Sequence, residues 1–495
     1  MAMTNKSGKI RLTTGVSGLD NILHGGLQSG HVYLIEGDPG SGKTTMGMQF
    51  LLQGIAAGEP TLYITLAESR DELEAVAESH DFDLSRMEIF EVQPPELDQK
   101  GSDQYTVFHP SEVELVDVMQ SILTKVEGIN AGRIVFDSMS EIRMLARDPL
   151  RYRRQILSLK QFFVGRKSTV LLLDDRTGDR SDTQLQSICH GAIRLESVPR
   201  EYGPERRQLQ VLKMRATRFR EGQHDYKIEK GGLHVYPRLI SAEHLPPGVD
   251  RSILPSGIIE LDKLFGGGVA RGTTSLFMGP AGSGKSTIAT KFLAAAAERG
   301  ERGLMFTSDE TLESVMTRCR GLGIPLEGHC ENKSIELQKL DPALLSPGEF
   351  ITLIRRDVEE RDCRVVIIDS LNGLLNAMPG QAMLIQLHEL FSYLSHMGVT
   401  TFMIMAQFGV LGTQMGSPVD VSYLADNVLL FRYFELRGSV KQAVSVMKRR
   451  SGPHERSIRE LRLTPNHIEI GESLREFEGI LTGVPRFVGE SEPLP

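Results

Sequence analysis

Gly37-Asp38-Pro39-Gly40-Ser41-Gly42-Lys43-Thr44-Thr45 and Gly279-Pro280-Ala281-Gly282-Ser283-Gly284-Lys285-Ser286-Thr287 are two copies of one phosphate-binding phrase. Both fit G-x-x-x-x-G-K-[ST], the P-loop. Glycines let a backbone approach a phosphate and turn its N–H groups inward. The helix that follows offers its positive N-terminus to the same group. Lys43 and Lys285 are suited to the β- and γ-phosphates, and the hydroxyls of Thr44 and Ser286 to Mg²⁺. Residues 31–35 and 274–278 read as short buried strands, and residues 46–54 and 287–297 as helices. Strand, glycine loop, helix is the arrangement the motif requires. The two lysines are 242 positions apart, about half the chain. The chain therefore reads as a tandem duplication of a domain that binds a nucleoside triphosphate with Mg²⁺.

The bulk numbers fit this reading. With 495 residues, 40% hydrophobic and 24% charged, each half is long enough to bury its own core. The net charge of −8 argues against bulk nucleic-acid binding. Neither a signal-like segment nor an apolar run of membrane-span length is read, so a cytoplasmic protein away from membranes is expected. Cys189, Cys319, Cys330 and Cys363 form no C-x-x-C pair and are expected to be reduced. His329-Cys330 has no visible partner cluster for a metal.

The repeat extends beyond the loops. Thr14-Gly15-Val16-Ser17-Gly18-Leu19-Asp20 matches Ser256-Gly257-Ile258-Ile259-Glu260-Leu261-Asp262, and residues 61–68 match 303–310. Ile134-Val135-Phe136-Asp137-Ser138 matches Val365-Val366-Ile367-Ile368-Asp369-Ser370 after a longer polar loop in the first copy, near residues 93–110. Strand and helix patterns alternate in each half, so an α/β fold of two P-loop domains with mostly parallel sheets is expected. The divisions read as 1–240, a linker at 241–255 around Pro246-Pro247-Gly248, 256–480, and a short tail at 481–495.

Other residues carry candidate roles. Asp137 and Asp369 end apolar strands and read as Walker B acids that position Mg²⁺, against the alternative of solvent-facing strand ends. Glu68, Asp309 and Glu310 follow the strand after the P-loop helix. Each could accept a proton from an attacking hydroxyl, or simply stabilise the N-terminus of the next helix. Lys213 and Arg215, like Lys448 and Arg450, alternate on strand-like segments, so each pair shares a face. They read as a cationic clamp on a γ-phosphate, supplied by a neighbouring subunit in the manner of an arginine finger, or else as a charged edge strand. Recurrence in both copies favours the clamp.

These motifs together resemble the KaiC family of circadian clock ATPases, from about residue 11 to residue 486. Asp341-Pro342-Ala343-Leu344-Leu345-Ser346-Pro347-Gly348-Glu349-Phe350 and Arg432-Tyr433-Phe434-Glu435-Leu436-Arg437-Gly438 add to the likeness. The resemblance implies two tandem RecA-like domains in a double-ring homohexamer, with ATP and Mg²⁺ between subunits. It implies an N-terminal ATPase ring and a C-terminal ring with serine/threonine autokinase activity. A KaiB-like or other signalling partner and a role as a timing or stress-signalling switch are implied too. The family's paired catalytic glutamates fall at Ala67-Glu68 and Asp309-Glu310, so Glu68 stands alone in the first copy. The family's phospho-acceptors fall at Ser422-Tyr423, leaving Ser422 as the candidate acceptor beside a longer phenol. The segment after Arg486 is short where the family carries its KaiA-recruiting tail. Two other readings compete: a RecA/RadA-like DNA-dependent ATPase, and a non-catalytic platform glued by nucleotide. The first lacks a zinc-binding cysteine cluster, any Trp and a basic arm. The second is motivated by Ala67.

Overall fold

In the computed structural model the described residues are 3–4, 10–92, 110–176, 184–200, 203–246, 248–378, 380–407, 419–482 and 484–489. The polar stretch 93–109 lies outside them. The chain forms two compact units, Met1–Arg238 and Leu239–Pro495.

The first unit is built on a nine-stranded sheet. Its strands in chain order are β1 (Val32–Gly37), β2 (Thr61–Thr65), β3 (Glu88–Glu91), β4 (Arg133–Asp137), β5 (Thr169–Asp175), β6 (Gly191–Val198), β7 (Arg206–Met214), β8 (Gln223–Glu229) and β9 (Gly232–Tyr236). In space they run β3-β2-β4-β5-β1-β6-β7-β8-β9. The strands from β3 to β6 are parallel and the remainder antiparallel. Parallel strands covered on both faces need near-continuous apolar runs. Leu171 and Leu173 face one core with Met46 and Phe50 of helix α1 (Lys43–Ala56), while Val170 and Leu172 face another with Ile156 and Phe163.

The second unit repeats this. Its strands are β10 (Thr274–Gly279), β11 (Arg302–Thr307), β12 (Ile335–Lys339), β13 (Cys363–Asp369), β14 (Thr400–Ala406), β15 (Asn427–Leu436), β16 (Ser439–Arg449), β17 (Arg459–Thr464) and β18 (His467–Ser473). They run β12-β11-β13-β14-β10-β15-β16-β17-β18, the same permutation as in the first unit. The expectation of two mostly parallel α/β sheets flanked by helices holds.

Within 241–255, read from the sequence as a linker, Ser241 and Ile253–Leu254 have partners in the second unit. Ser241 donates through N and Oγ to Glu389 Oε2 at 2.9 and 3.0 Å, and Ile253–Leu254 pairs with Val269–Ala270.

In both units the P-loop strand lies where chain order reverses, between β5 and β6 in one and β14 and β15 in the other. A crevice at such a switch point, outside the strands' carboxyl ends, is where α/β sheets take ligands.

Candidate active site

At the first P-loop, Gly42 has φ of 93° and a Cβ there would meet Ile228 Cδ1 at 2.6 Å, so glycine is required. Loop carbonyls are tied away from the cradle. Arg207 Nη1 donates to Gly40 O and the Tyr226 hydroxyl to Ser41 O, each at 2.7 Å. At the start of α1, Thr44 Oγ1 donates to Asp137 Oδ2 at 3.0 Å, and the Tyr63 hydroxyl donates to the same oxygen at 2.5 Å. A hydroxyl and a strand-end carboxylate in contact form a hard-oxygen pair that fits Mg²⁺, which keeps waters and phosphate oxygens as its other ligands. Burial pushes the Asp137 carboxyl up, while Tyr63, Thr44 and Lys43 pull it back. Thr45 Oγ1 is 3.4 Å from His80 Nε2.

Glu68 lies in a turn held by Thr65, whose Oγ1 donates to Glu68 O at 2.7 Å and accepts from Glu68 N at 3.1 Å. Ser69 then caps helix α2 (Arg70–Ser79), which leaves the Glu68 side chain free of a capping role. Burial, and then the charges of Asp137, Glu72 and Asp175, raise its carboxyl to about 7.

The second P-loop repeats the plan. Gly284 has φ of 99°, with Leu461 Cδ2 2.9 Å from a Cβ. The Tyr433 hydroxyl and Gln442 Nε2 hold Ala281 O and Gly282 O at 3.1 Å, and Ser283 Oγ donates to Pro280 O at 2.8 Å. Lys285 and Thr287 are buried at the start of helix α3 (Lys285–Glu298). Burial lowers the Lys285 ammonium to about 8 against the opposing pull of Asp369. Burial raises Asp369, opposed by a hydrogen bond from Ser286 and the charge of Arg318. Thr307 fixes the Glu310 turn as Thr65 fixes that of Glu68. Ser370 Oγ donates to Asp309 Oδ2 at 2.6 Å, and Arg318 Nη2 pairs with Glu310 Oε2 at 3.0 Å.

The basic pairs are not beside their own P-loops. Lys213 aligns with Ala192 and so with Leu34, three residues before Gly37. Lys448 aligns with Val428 and so with Leu276, three residues before Gly279. At the rise of a strand this is about 10 Å towards the opposite end of the sheet. Lys213 Nζ donates to Gln186 O and Cys189 O at 2.6 and 3.0 Å, and Arg215 Nη2 to Ser187 O at 2.8 Å. Lys448 Nζ donates to Ser422 O and Ala425 O at 3.0 and 2.8 Å. Arg450 donates to Tyr423 O at 2.9 Å and pairs with Asp426 at 3.2 Å. Both second-copy cations thus hold the short turn Ser422–Leu424 that carries the candidate acceptor, and Ser422 N donates to Asp420 Oδ1 at 2.9 Å.

A family model described as the KaiC ATPase matches residues 12–240 and again residues 254–475. The chain belongs to the KaiC ATPase family. It is 25% identical over 493 residues to the circadian clock oscillator protein KaiC of Picosynechococcus, covering 97% of this chain and 93% of that one. It is 26% identical over 497 residues to the KaiC of Prochlorococcus marinus, with 97% of each chain covered. The KaiC of Synechococcus elongatus is 24% identical over 486 residues, 96% of this chain and 92% of its own.

Within this KaiC-family chain the two copies have diverged at the carboxylates. Arg318 pairs with Glu310, but Val76 stands at the corresponding place in the first copy, so Glu68 has no such cation. Conversely, Lys43 Nζ pairs with Asp175 Oδ1 at 2.7 Å, a carboxylate that sequence reasoning did not single out. Its signal was present: Asp174-Asp175 closes an apolar run just as Asp137 does. Tyr63 and Arg318 were also missed, because a tyrosine within a strand and an arginine within a helix carry no motif.

Proposed function

We propose that this KaiC-family protein hydrolyses ATP with Mg²⁺ in both copies and transfers phosphate to Ser422 at the second. It works as a cytoplasmic homohexamer of two rings, each nucleotide lying between subunits. Among the described residues no helix is long and apolar enough to cross a membrane. The observation that carries the subunit arrangement is the register of Lys213, Arg215, Lys448 and Arg450 about 10 Å from their own P-loop level. Cations so distant serve a triphosphate best when it is bound by a neighbour, as an arginine finger does. Ser422 belongs to the same patch, so acceptor and cations would face the neighbour's nucleotide together.

In the first copy, Lys43 would hold the phosphates and Thr44 and Asp137 the metal; the water oxygen bonds to the γ-phosphorus, the bond to the β,γ-bridging oxygen breaks, ADP and phosphate leave, and Glu68 takes the water's proton. In the second, Lys285, Ser286 and Asp369 do the holding. Ser422 Oγ bonds to the γ-phosphorus, the bond to the β,γ-bridging oxygen breaks, and ADP leaves. The hydroxyl proton passes to Asp309 or Glu310. Mg²⁺ would neutralise charge on the phosphate oxygens. A timing or stress-signalling role with a KaiB-like or other signalling partner fits such a switch.

Mass spectrometry of the intact protein after incubation with Mg-ATP tests the transfer, and fragment spectra read the site. One added phosphate on Ser422 is expected. Asp309→Asn with Glu310→Gln should lower its incorporation by about 10²-fold or more. Undiminished incorporation in that double variant would remove the carboxylates from the proton-accepting role.

A further inference from the structure

Asp175 ends β5 level with Gly37 of the P-loop strand. Its Oδ1 lies 2.7 Å from Lys43 Nζ, and Ser140 Oγ donates to Oδ2 at 3.4 Å. The lysine side chain is 8% exposed and the aspartate 30%, so water screens the pair only in part. The ammonium it holds is the one P-loop chemistry requires for the β- and γ-phosphates. The second copy differs at this point. Ala406 occupies the register of Asp175, level with Gly279. Asn372, in the place of Ser140, bonds to the Ala406 backbone at 2.8 and 2.9 Å. Lys285 Nζ donates to Pro280 O at 2.6 Å as Lys43 Nζ does to Asp38 O at 3.0 Å, so the loop carbonyl is common to both copies and the carboxylate is what differs. One copy therefore sets a full negative charge against its P-loop lysine where the other presents a methyl group.

We propose that Asp175 is a built-in competitor for Lys43, which makes the first P-loop bind nucleoside triphosphate more weakly than it would with the neutral residue of the second copy. The proposal rests on the reading of both P-loops as nucleotide sites. A phosphate that takes Lys43 removes the partner of Asp175 and brings a like charge beside it. One such repulsion at about 5 Å, with an effective dielectric constant between protein and water, corresponds to roughly tenfold in affinity. Asp175 would thus hold the first site open to exchange, while the second retains its nucleotide.

The test is binding of a fluorescent ATP analogue to the full chain carrying Lys285→Ala, so that only the first P-loop reports. Asp175→Asn should tighten binding by about tenfold, with and without Mg²⁺. Unchanged or weaker binding overturns the proposal, and weakening confined to Mg²⁺ would make Asp175 a metal ligand instead. Adding Lys43→Ala to Lys285→Ala should abolish binding. Binding that survives there overturns the nucleotide-site reading and is distinct from a failure of the Asp175 variant. The reciprocal change, Ala406→Asp in a Lys43→Ala chain, should weaken the second site by a similar factor. It keeps the proposal testable if Asp175→Asn does not fold, and no effect of Ala406→Asp would count against it.

Discussion

At Glu68, the proton acceptor proposed for the first copy, ionisation would carry a stability cost. Its carboxyl is raised from 4.5 to about 7, first by burial and then by Asp137, Glu72 and Asp175. Between these values the folded chain keeps a proton that the unfolded chain has lost. The contribution of Glu68 to stability is therefore present below pH 4.5 and is lost as pH rises through about 7. Activity runs the other way, because only the ionised form accepts a proton. In the Lys285→Ala chain, ATP hydrolysis should climb about tenfold per pH unit below 7 and level off above it. Glu68→Gln should lower the plateau by about 10²-fold or more and remove the slope. A Glu68→Gln profile in the Lys285→Ala chain with the same plateau and slope as before that change would rule out Glu68 as the base. Glu310 belongs to the same kind of turn but meets Arg318, so position in the motif does not decide which charges a carboxylate meets.

Among the elements, helix starts carry much of the local specification. Ser346-Pro347-Gly348-Glu349 forms a capping box: Ser346 accepts from Glu349 N, and the Glu349 side chain accepts from Ser346 N. Proline at the first helical position adds to it, because its missing N–H would have had no intrahelical partner. The same signals are visible in the string that supported the family likeness. Ser346→Ala should cost about 1 kcal/mol. Urea denaturation of the full chain would read it as a lower midpoint of the second unit's transition at unchanged slope. Strands are less legible singly. Val32–Gly37 and Thr274–Gly279 are buried apolar runs that could equally be helix cores, and the glycine loops after them make them strands. Within β1, Glu36 is buried against Arg194 at 2.7 Å, whereas Met278 fills that place in β10. The sheet survives either choice because each is satisfied by its own neighbours.

At the scale of the whole molecule, the proposed assembly predicts sharing of sites between chains. A Lys285→Ala subunit lacks its P-loop cation but keeps Lys448 and Arg450; a Lys448→Ala, Arg450→Ala subunit has the reverse. Each alone should show little second-site activity. Mixed before assembly, with Lys43→Ala in both, they should regain a fraction of the hydrolysis set by the proportion of intact interfaces. Failure to complement, with assemblies of normal size by light scattering, would mean that the basic strand does not serve a neighbour's nucleotide. The family match over both repeats gives the ATPase reading its breadth. The basic strands give it a direction, because their register separates them from their own loops.

The sequence alone determined the duplication, the two P-loops, the strand-end acids Asp137 and Asp369, and the α/β class. Each is written in a short contiguous window of residues. Tertiary structure decided what depends on groups far apart in the chain. It paired Asp175 with Lys43 across 132 positions, left Glu68 without the arginine that Glu310 has, and bonded Ser241 to Glu389 in the second unit. It also set Lys213 and Lys448 away from their own loops. A motif specifies the residues that must meet a phosphate. Which other charges share that space follows from strand order and register, which bring remote side chains within a few ångströms.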